Sequence, residues 1–180
     1  MESTKLIGYV LFFGLIISLI VIDTPITVFI DVASVIMVIG GTFAIILVAT
    51  GTDVLTMFDQ KPSPFAWQAA TLGLMITALI GGSMGHIKMF SNLSDPSTIG
   101  PAMALCLLSL LYGMIIVAVL AMPKVDQYIL ETKRFHEFSM GRTMVIVFPI
   151  FAMMMVLLAF LILLFAMSPT FPFLSTQMKL

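Results

Sequence analysis

The chain has 180 residues, of which 61% are hydrophobic and 9% are charged, with a formal net charge of -1. Soluble domains are about half apolar and about a quarter charged, so this composition excludes a sizeable soluble domain and predicts an integral membrane protein. The near-neutral charge gives no reason to expect a nucleic-acid partner. The sequence has no hydrolase motif, phosphate-binding loop or metal-binding cluster, so we predict no enzymatic activity, no metal and no cofactor.

Five apolar segments are long enough, or nearly so, to cross a hydrocarbon core of about 30 Å. They cover residues 6–22, 31–50, 66–90, 101–122 and 143–167. We therefore predict an all-α integral membrane protein of about five transmembrane helices, forming a single membrane domain over 1–180. The first segment has no evident small-residue cleavage site before Asp23, and we interpret it as a retained helix rather than a signal peptide.

The basic residues between the segments predict the orientation. Most of them fall on one side of such a bundle, namely Lys5, Lys61, Lys124, Lys133, Arg134 and Arg142, and the others are Lys88 and Lys179. Because basic residues concentrate on the cytoplasmic side, the amino terminus is predicted in the cytoplasm and the carboxyl terminus in the periplasm. The stretch 123–142 is then a cytoplasmic connector, and its apolar spacing predicts that it continues the fourth helix.

Small residues predict where helices pack closely. In the third segment they recur every four positions, at Gly73, Thr77, Gly81 and Gly85. This spacing aligns them along one helix face, where another backbone can approach. The fourth segment repeats the pattern at Ser109 and Gly113. In the fifth segment Ala152, Ala159 and Ala166 recur every seven residues and predict a narrow packing seam.

The deep parts of all five segments contain no Asp, Glu, Lys or Arg. A carrier of protons or cations usually needs an ionisable group near mid-depth, so if this protein conducts ions, a partner must supply that group. The polar side chains that remain are mainly hydroxyls, at Thr42, Thr71, Thr77, Ser109 and Tyr112. For Thr42 and Thr71 we favour a hydrogen bond to their own helix.

Three further residues have two interpretations each. Asp31 starts the second helix, and capping that helix or gathering cations explains it about equally well. His86 lies near the outer end of the third segment, where an interfacial polar residue is favoured over a proton relay. Cys106 lies inside the fourth segment and is interpreted as a small packed residue.

Two stretches resemble a known family. Residues 29–34, together with Gly40 and Gly41, resemble the second helix of the MotA-type flagellar stator proteins. Residues 92–104, residues 107–113 and Pro123 resemble the loop and fourth helix of the same family. The wider relatives of that family are the TolQ and ExbB energising proteins.

The resemblance implies a MotA/ExbB-like bundle in the bacterial inner membrane. It implies a homo-oligomer, a pentamer of this chain, around two copies of a single-span partner of the MotB, TolR or ExbD type, whose aspartate carries the ion. The third and fourth segments would line the pore, Asp31 would lie near the ion entrance, and Pro123 would lie at the cytoplasmic end of the fourth helix. The implied ion-pathway residues are Asp31, Thr77, Gly82, Ser109, Leu110, Tyr112 and Pro123, and the implied packing residues are Gly73, Gly81, Gly85 and Gly113.

The chain also departs from that family. Only residues 51–65 stand where flagellar stators carry a large cytoplasmic domain, and the fifth segment is an addition. Gly82 and Leu110 replace the threonines whose oxygens hold sodium in sodium-driven relatives, so protons are predicted rather than sodium. We therefore predict a proton-conducting stator subunit that drives envelope transport, secretion or motility. The alternative is a non-conducting structural subunit with the family fold.

Overall fold

The computed structural model describes residues 2–23, 25–57, 64–93, 95–132 and 139–167, and all regular structure in these ranges is helical. The α-helices are α1 (Glu2–Asp23), α2 (Val32–Val35), α3 (Gly41–Thr50), α4 (Pro64–Ser91), α5 (Pro96–Ile116), α6 (Met122–Thr132) and α7 (Ser139–Met167). Two 3₁₀ turns cover Ile26–Phe29 and Gly51–Thr56, and two π turns cover Ile36–Gly40 and Val117–Ala121. The predicted all-α membrane fold is confirmed.

Among the described residues, four helical stretches are long and apolar enough to cross a membrane. Numbered after the predicted segments, the second to fifth spans are Ile26–Thr50, Phe65–Ser91, Ser97–Ile129 and Ile146–Phe165. The first predicted segment, 6–22, folds as part of helix α1. Part of the connector 123–142 lies outside the described residues. So do four of the basic residues used to predict orientation, namely Lys61, Lys133, Arg134 and Lys179. The side of the membrane on which each terminus lies therefore stays a prediction.

Helix α5 begins sharply because its first turn is capped. The Asp95 carboxylate accepts hydrogen bonds from the backbone N–H of Ser97 at 3.0 Å and from its hydroxyl at 2.6 Å. Pro96 then occupies the first helical position, where its missing N–H leaves no hydrogen bond unmade. The polar loop before the fourth segment therefore ends at Asp95, and the helix starts several residues earlier than the apolar run.

The fourth span continues without a break from α5 through the π turn Val117–Ala121 into α6. Pro123, in the first turn of α6, lacks an N–H and would clash with the carbonyl four residues before it in a regular α-helix. Here the preceding turn is widened, since the N–H of Met122 bonds to the carbonyl of Val117, five residues back. The predicted helical continuation of the fourth helix is therefore present as far as Thr132.

Helix α4 is the centre of the bundle and contacts α3, α5, α6 and α7. Its glycine row changes partner along its length: Gly73 lies against Thr42 of α3, whereas Gly81 and Gly85 lie against α5. On another side α7 packs against α4 and α5 through Ala152 and Ala159, which are 3% and 0% exposed. Close packing around α4 therefore holds α3, α5 and α7 in one unit.

Candidate functional site

Asp31 caps the second span. Its carboxylate oxygen Oδ2 accepts hydrogen bonds from the backbone N–H of Ser34 at 2.7 Å and from the Ser34 hydroxyl at 2.6 Å. Ser34 is fully buried and also lies 3.4 Å from the carbonyl oxygen of Leu105 on α5. Ser34 was not predicted as a site residue, although its position three residues after a capping aspartate could have indicated this contact.

Tyr112 closes the same end of the span from α5. Its hydroxyl donates a hydrogen bond to the carbonyl of Phe29 and accepts one from the backbone N–H of Asp31, at 3.1 Å. These two backbone groups flank a bend between the 3₁₀ turn Ile26–Phe29 and α2 and have no partner in either helix. The Tyr112 hydroxyl therefore links the second and fourth spans of the chain through two hydrogen bonds.

Substituting Asp31 separates its capping role from its charge. Asp31→Ala is expected to lower the free energy of unfolding by about 1 kcal/mol, because the N–H of Ser34 loses its acceptor. Asp31→Asn should retain most of the stability, since an asparagine oxygen caps nearly as well. Thermal unfolding of the three proteins in the same detergent measures this. Equal losses in both variants would show that the negative charge, not the cap, stabilises the chain here.

Two threonines meet at mid-depth between α3 and α4. The hydroxyl oxygens of Thr42 and Thr77 are 3.1 Å apart. Thr42 donates to the carbonyl of Val38 at 2.5 Å, and Thr77 lies 2.8 Å from the carbonyl of Gly73. Thr71 donates to the carbonyl of Trp67 at 2.9 Å. The predicted bonds of Thr42 and Thr71 to their own helices are confirmed, and Thr42 makes an additional contact across the helix interface.

Ser109 lies at the crossing of α4 and α5. Its side chain is fully buried, and its hydroxyl has no hydrogen-bond partner among the described residues. A Cβ atom added to Gly81 would lie 2.5 Å from this hydroxyl oxygen, so the serine sits against bare glycine backbone. A buried hydroxyl without a partner is unfavourable, which makes Ser109 an unusual residue in this bundle.

Gly82 and Leu110, which directly follow Gly81 and Ser109 in the sequence, also meet between α4 and α5. A Cβ added to Gly82 would lie at an ordinary contact distance of 3.5 Å from the Leu110 side chain. Where the resemblance implies threonine oxygens, this chain therefore has an apolar contact. Thr77, Gly82, Ser109 and Leu110 are all buried inside the bundle of one chain, whereas Asp31, Tyr112 and Pro123 are partly exposed.

His86 is enclosed by the neighbouring helices, and its predicted depth near the membrane interface stays a prediction. The ring is only 4% exposed. Its Nδ1 atom lies 2.8 Å from the carbonyl oxygen of Gly82, and its Nε2 atom lies 2.9 Å from the carbonyl oxygen of Met155 on α7. The Sγ atom of Cys106 lies 3.6 Å from Nδ1. Helix α7 covers this face of α4, and the local sequence around His86 does not indicate where α7 packs.

No metal site is present among the described residues: they contain no group of three or more His, Cys, Asp or Glu side chains able to hold an ion. The described bundle offers hydroxyls, helix carbonyls, carboxylates at helix ends such as Asp31 and Asp95, and the His86–Cys106 pair.

Three curated proteins are similar to part of the chain. Motility protein A of Aquifex aeolicus (strain VF5) is 36% identical over 77 residues, 42% of this chain and 30% of that protein. Motility protein A of Cereibacter sphaeroides is 37% identical over 62 residues, 33% of this chain and 24% of that protein. The chemotaxis protein PomA of Vibrio alginolyticus is 45% identical over 49 residues, 27% of this chain and 19% of that protein.

The matched stretches of the chain are similar to these motility and chemotaxis proteins. The predicted resemblance is confirmed as a local one, since the chain spans less than a third of the length of each of these MotA relatives. No family model matches the chain, and no solved structure matches it.

Proposed function

We propose that this MotA-like chain is a proton-conducting subunit of a rotary stator complex in the bacterial inner membrane. A pentamer of the chain surrounds two copies of a single-span MotB, TolR or ExbD-like protein, whose aspartate carries the ion. Ion flow turns the pentamer and drives envelope transport, secretion or motility. The observation that carries the proposal is the similarity to two motility proteins and one chemotaxis protein.

The charge distribution of the described spans supports a partner-dependent mechanism. Asp31 lies at the start of the second span and Lys88 near the end of α4, while Lys124 and Asp126 lie in α6. Between these ends the described spans contain no Asp, Glu, Lys or Arg. An ion crossing the bilayer needs a charged or strongly polar binding group. A partner aspartate is a group of that kind.

Co-expression with a single-span protein that carries an intramembrane aspartate tests the complex. Mass measurement of the detergent-solubilised assembly is expected to give five copies of this chain with two of the partner. Proton flux into vesicles should require both proteins and be lost when the partner aspartate becomes asparagine. A monomer that recruits no partner would contradict the proposal.

Proton flux is expected to persist without sodium. The contact between Gly82 and Leu110 offers no side-chain oxygen to replace the hydration shell of a sodium ion. Flux or driven motion measured in sodium-free buffer, with potassium at the same ionic strength, should match that in sodium. Strict dependence on sodium would show that the ion is selected elsewhere in the complex.

Ser109→Ala separates conduction from stability. Because the Ser109 hydroxyl is buried without a partner, its removal is expected to leave the free energy of unfolding unchanged or raise it by up to about 1 kcal/mol. If the hydroxyl belongs to the ion pathway, proton flux should fall in the same variant. Ser34→Ala is the matched control, since Ser34 is equally buried but hydrogen-bonded, and it should lose about 1 kcal/mol.

A non-conducting structural subunit is the second candidate. The burial of Thr77, Gly82, Ser109 and Leu110 within one chain favours it, because these side chains do not lie on an open wall. The close contacts at Gly81 and Gly85 serve a scaffold equally well. Substituting the partner aspartate discriminates the two functions, since a scaffold would support the same biological activity after that change.

A further inference from the structure

His86 lies where three helices meet. It belongs to α4, faces Cys106 of α5, and reaches the backbone of α7 at Met155. Both ring nitrogens are within hydrogen-bond distance of a carbonyl oxygen, at 2.8 Å for Gly82 and 2.9 Å for Met155. The ring is almost fully enclosed, so water does not share these contacts in the single chain.

The two carbonyl oxygens call for two N–H donors, and a neutral ring has only one. A carbonyl oxygen only accepts hydrogen bonds, and a neutral imidazole carries a single N–H. In the neutral ring one nitrogen therefore presents a lone pair to a carbonyl oxygen. The imidazolium ion carries an N–H on both nitrogens and satisfies both contacts, with hydrogen bonds strengthened by its charge.

Cys106 provides a partner for the neutral ring. Its Sγ atom lies 3.6 Å from Nδ1 and 4.0 Å from Nε2, and a thiol is a weak donor. In the neutral form that fits these distances, Nε2 donates its proton to the carbonyl of Met155 and Nδ1 accepts from the thiol. When the ring binds a proton, a new N–H bond forms at Nδ1. This N–H donates to the carbonyl of Gly82, and the thiol keeps its own proton but loses Nδ1 as its acceptor.

Few other charges face this ring. On α4, Lys88 is two residues away and exposed on a different side of the helix. On α5, Asp95 is engaged in capping through Ser97. The described side chains of α7, residues 146–165, include no titratable group. The polar groups that face the ring are therefore the two carbonyls and the thiol.

We propose that His86 is a proton-binding site of this chain, built from the carbonyls of Gly82 and Met155 and switched by the thiol of Cys106. The site goes beyond the proposed stator function because it needs no partner protein. It binds one proton from solvent, changes the charge of the buried cluster from zero to plus one, and couples that change to the junction of α4, α5 and α7.

The full chain reconstituted in lipid bilayers provides the test. The sequence has two histidines, so His136→Asn leaves His86 as the single one. Solid-state NMR of the ¹⁵N-labelled ring distinguishes the two neutral tautomers from the imidazolium. As the pH is lowered, the Nε2–H tautomer is expected to convert to imidazolium. A ring that stays in one neutral tautomer throughout overturns the proposal, whether or not the chain conducts ions.

Substitutions of Cys106 test the thiol. Cys106→Ala removes the donor that stabilises the neutral ring, so the imidazolium fraction at a given pH should rise. Cys106→Ser restores a hydroxyl donor and should return the fraction toward that of the unsubstituted chain. An identical fraction in all three proteins overturns the assignment of Cys106 as the switch. Because the readout is the ring itself, these outcomes are independent of stator assembly and ion flux.

Discussion

Gly85→Ala is expected to lower the free energy of unfolding by about 1–3 kcal/mol, although alanine is the better helix former. A Cβ atom at this position would lie 2.7 Å from the carbonyl oxygen of Ala102, and equally close to the backbone nitrogen and Cβ of Cys106. None of these atoms is the end of a flexible side chain. The α4 and α5 backbones would therefore have to separate, and the packing on both sides of Gly85 would loosen.

Gly82→Ala is the matched control for this prediction. It makes the same substitution in the same helix, but its added Cβ would meet only the Leu110 side chain at an ordinary 3.5 Å. We expect it to be neutral or slightly stabilising. Reversible unfolding in mixed detergent micelles gives the difference between the two variants. Equal stability of Gly82→Ala and Gly85→Ala would mean that α4 and α5 do not approach each other this closely.

Tyr112→Phe is the second change expected to have a large effect. It removes one hydroxyl and leaves two backbone groups, the carbonyl of Phe29 and the N–H of Asp31, without their partner. Removing one partner from a buried hydrogen bond typically costs about 1–3 kcal/mol, and here two bonds to the same atom are lost. The start of the second span should detach from α5, which is measurable as faster backbone hydrogen exchange around residues 29–34.

Tyr9→Phe controls for the loss of a tyrosine hydroxyl in general. Tyr9 lies on α1 and is only partly buried. Its substitution should change neither the unfolding free energy nor the exchange rates near Asp31. If Tyr112→Phe behaved like this control, the hydroxyl of Tyr112 would be free to serve another role, such as the ion pathway implied by the resemblance.

Much of the helical architecture could be predicted because lipid leaves the backbone few options. A spanning segment must satisfy its backbone hydrogen bonds internally, so long apolar runs become helices. Helix α5 begins at Pro96 rather than Pro101, since the Asp95 cap, and not hydrophobicity, decides where the helix starts. The first segment forms a helix as well.

The candidate site was only partly accessible from the sequence. The capping alternative for Asp31 and the bond from Thr71 to its own helix depend on neighbours three or four residues away, and local spacing is enough to suggest them. The burial of His86 depends instead on a carbonyl of α7, 69 residues later. The missing partner of Ser109 likewise depends on how closely α4 approaches it, which no pattern within α5 indicates.

The two π turns affect how this chain can be aligned with its relatives. In a π turn each backbone hydrogen bond joins residues five apart instead of four, so the segment holds an additional residue in nearly the same rise. Beyond Ile36–Gly40 and Val117–Ala121, every side chain is rotated relative to an uninterrupted helix. A relative lacking one residue within either turn would straighten it into a regular helix and keep the same faces buried on both sides. Single-residue gaps should therefore be tolerated at these two places and disruptive elsewhere in the same spans.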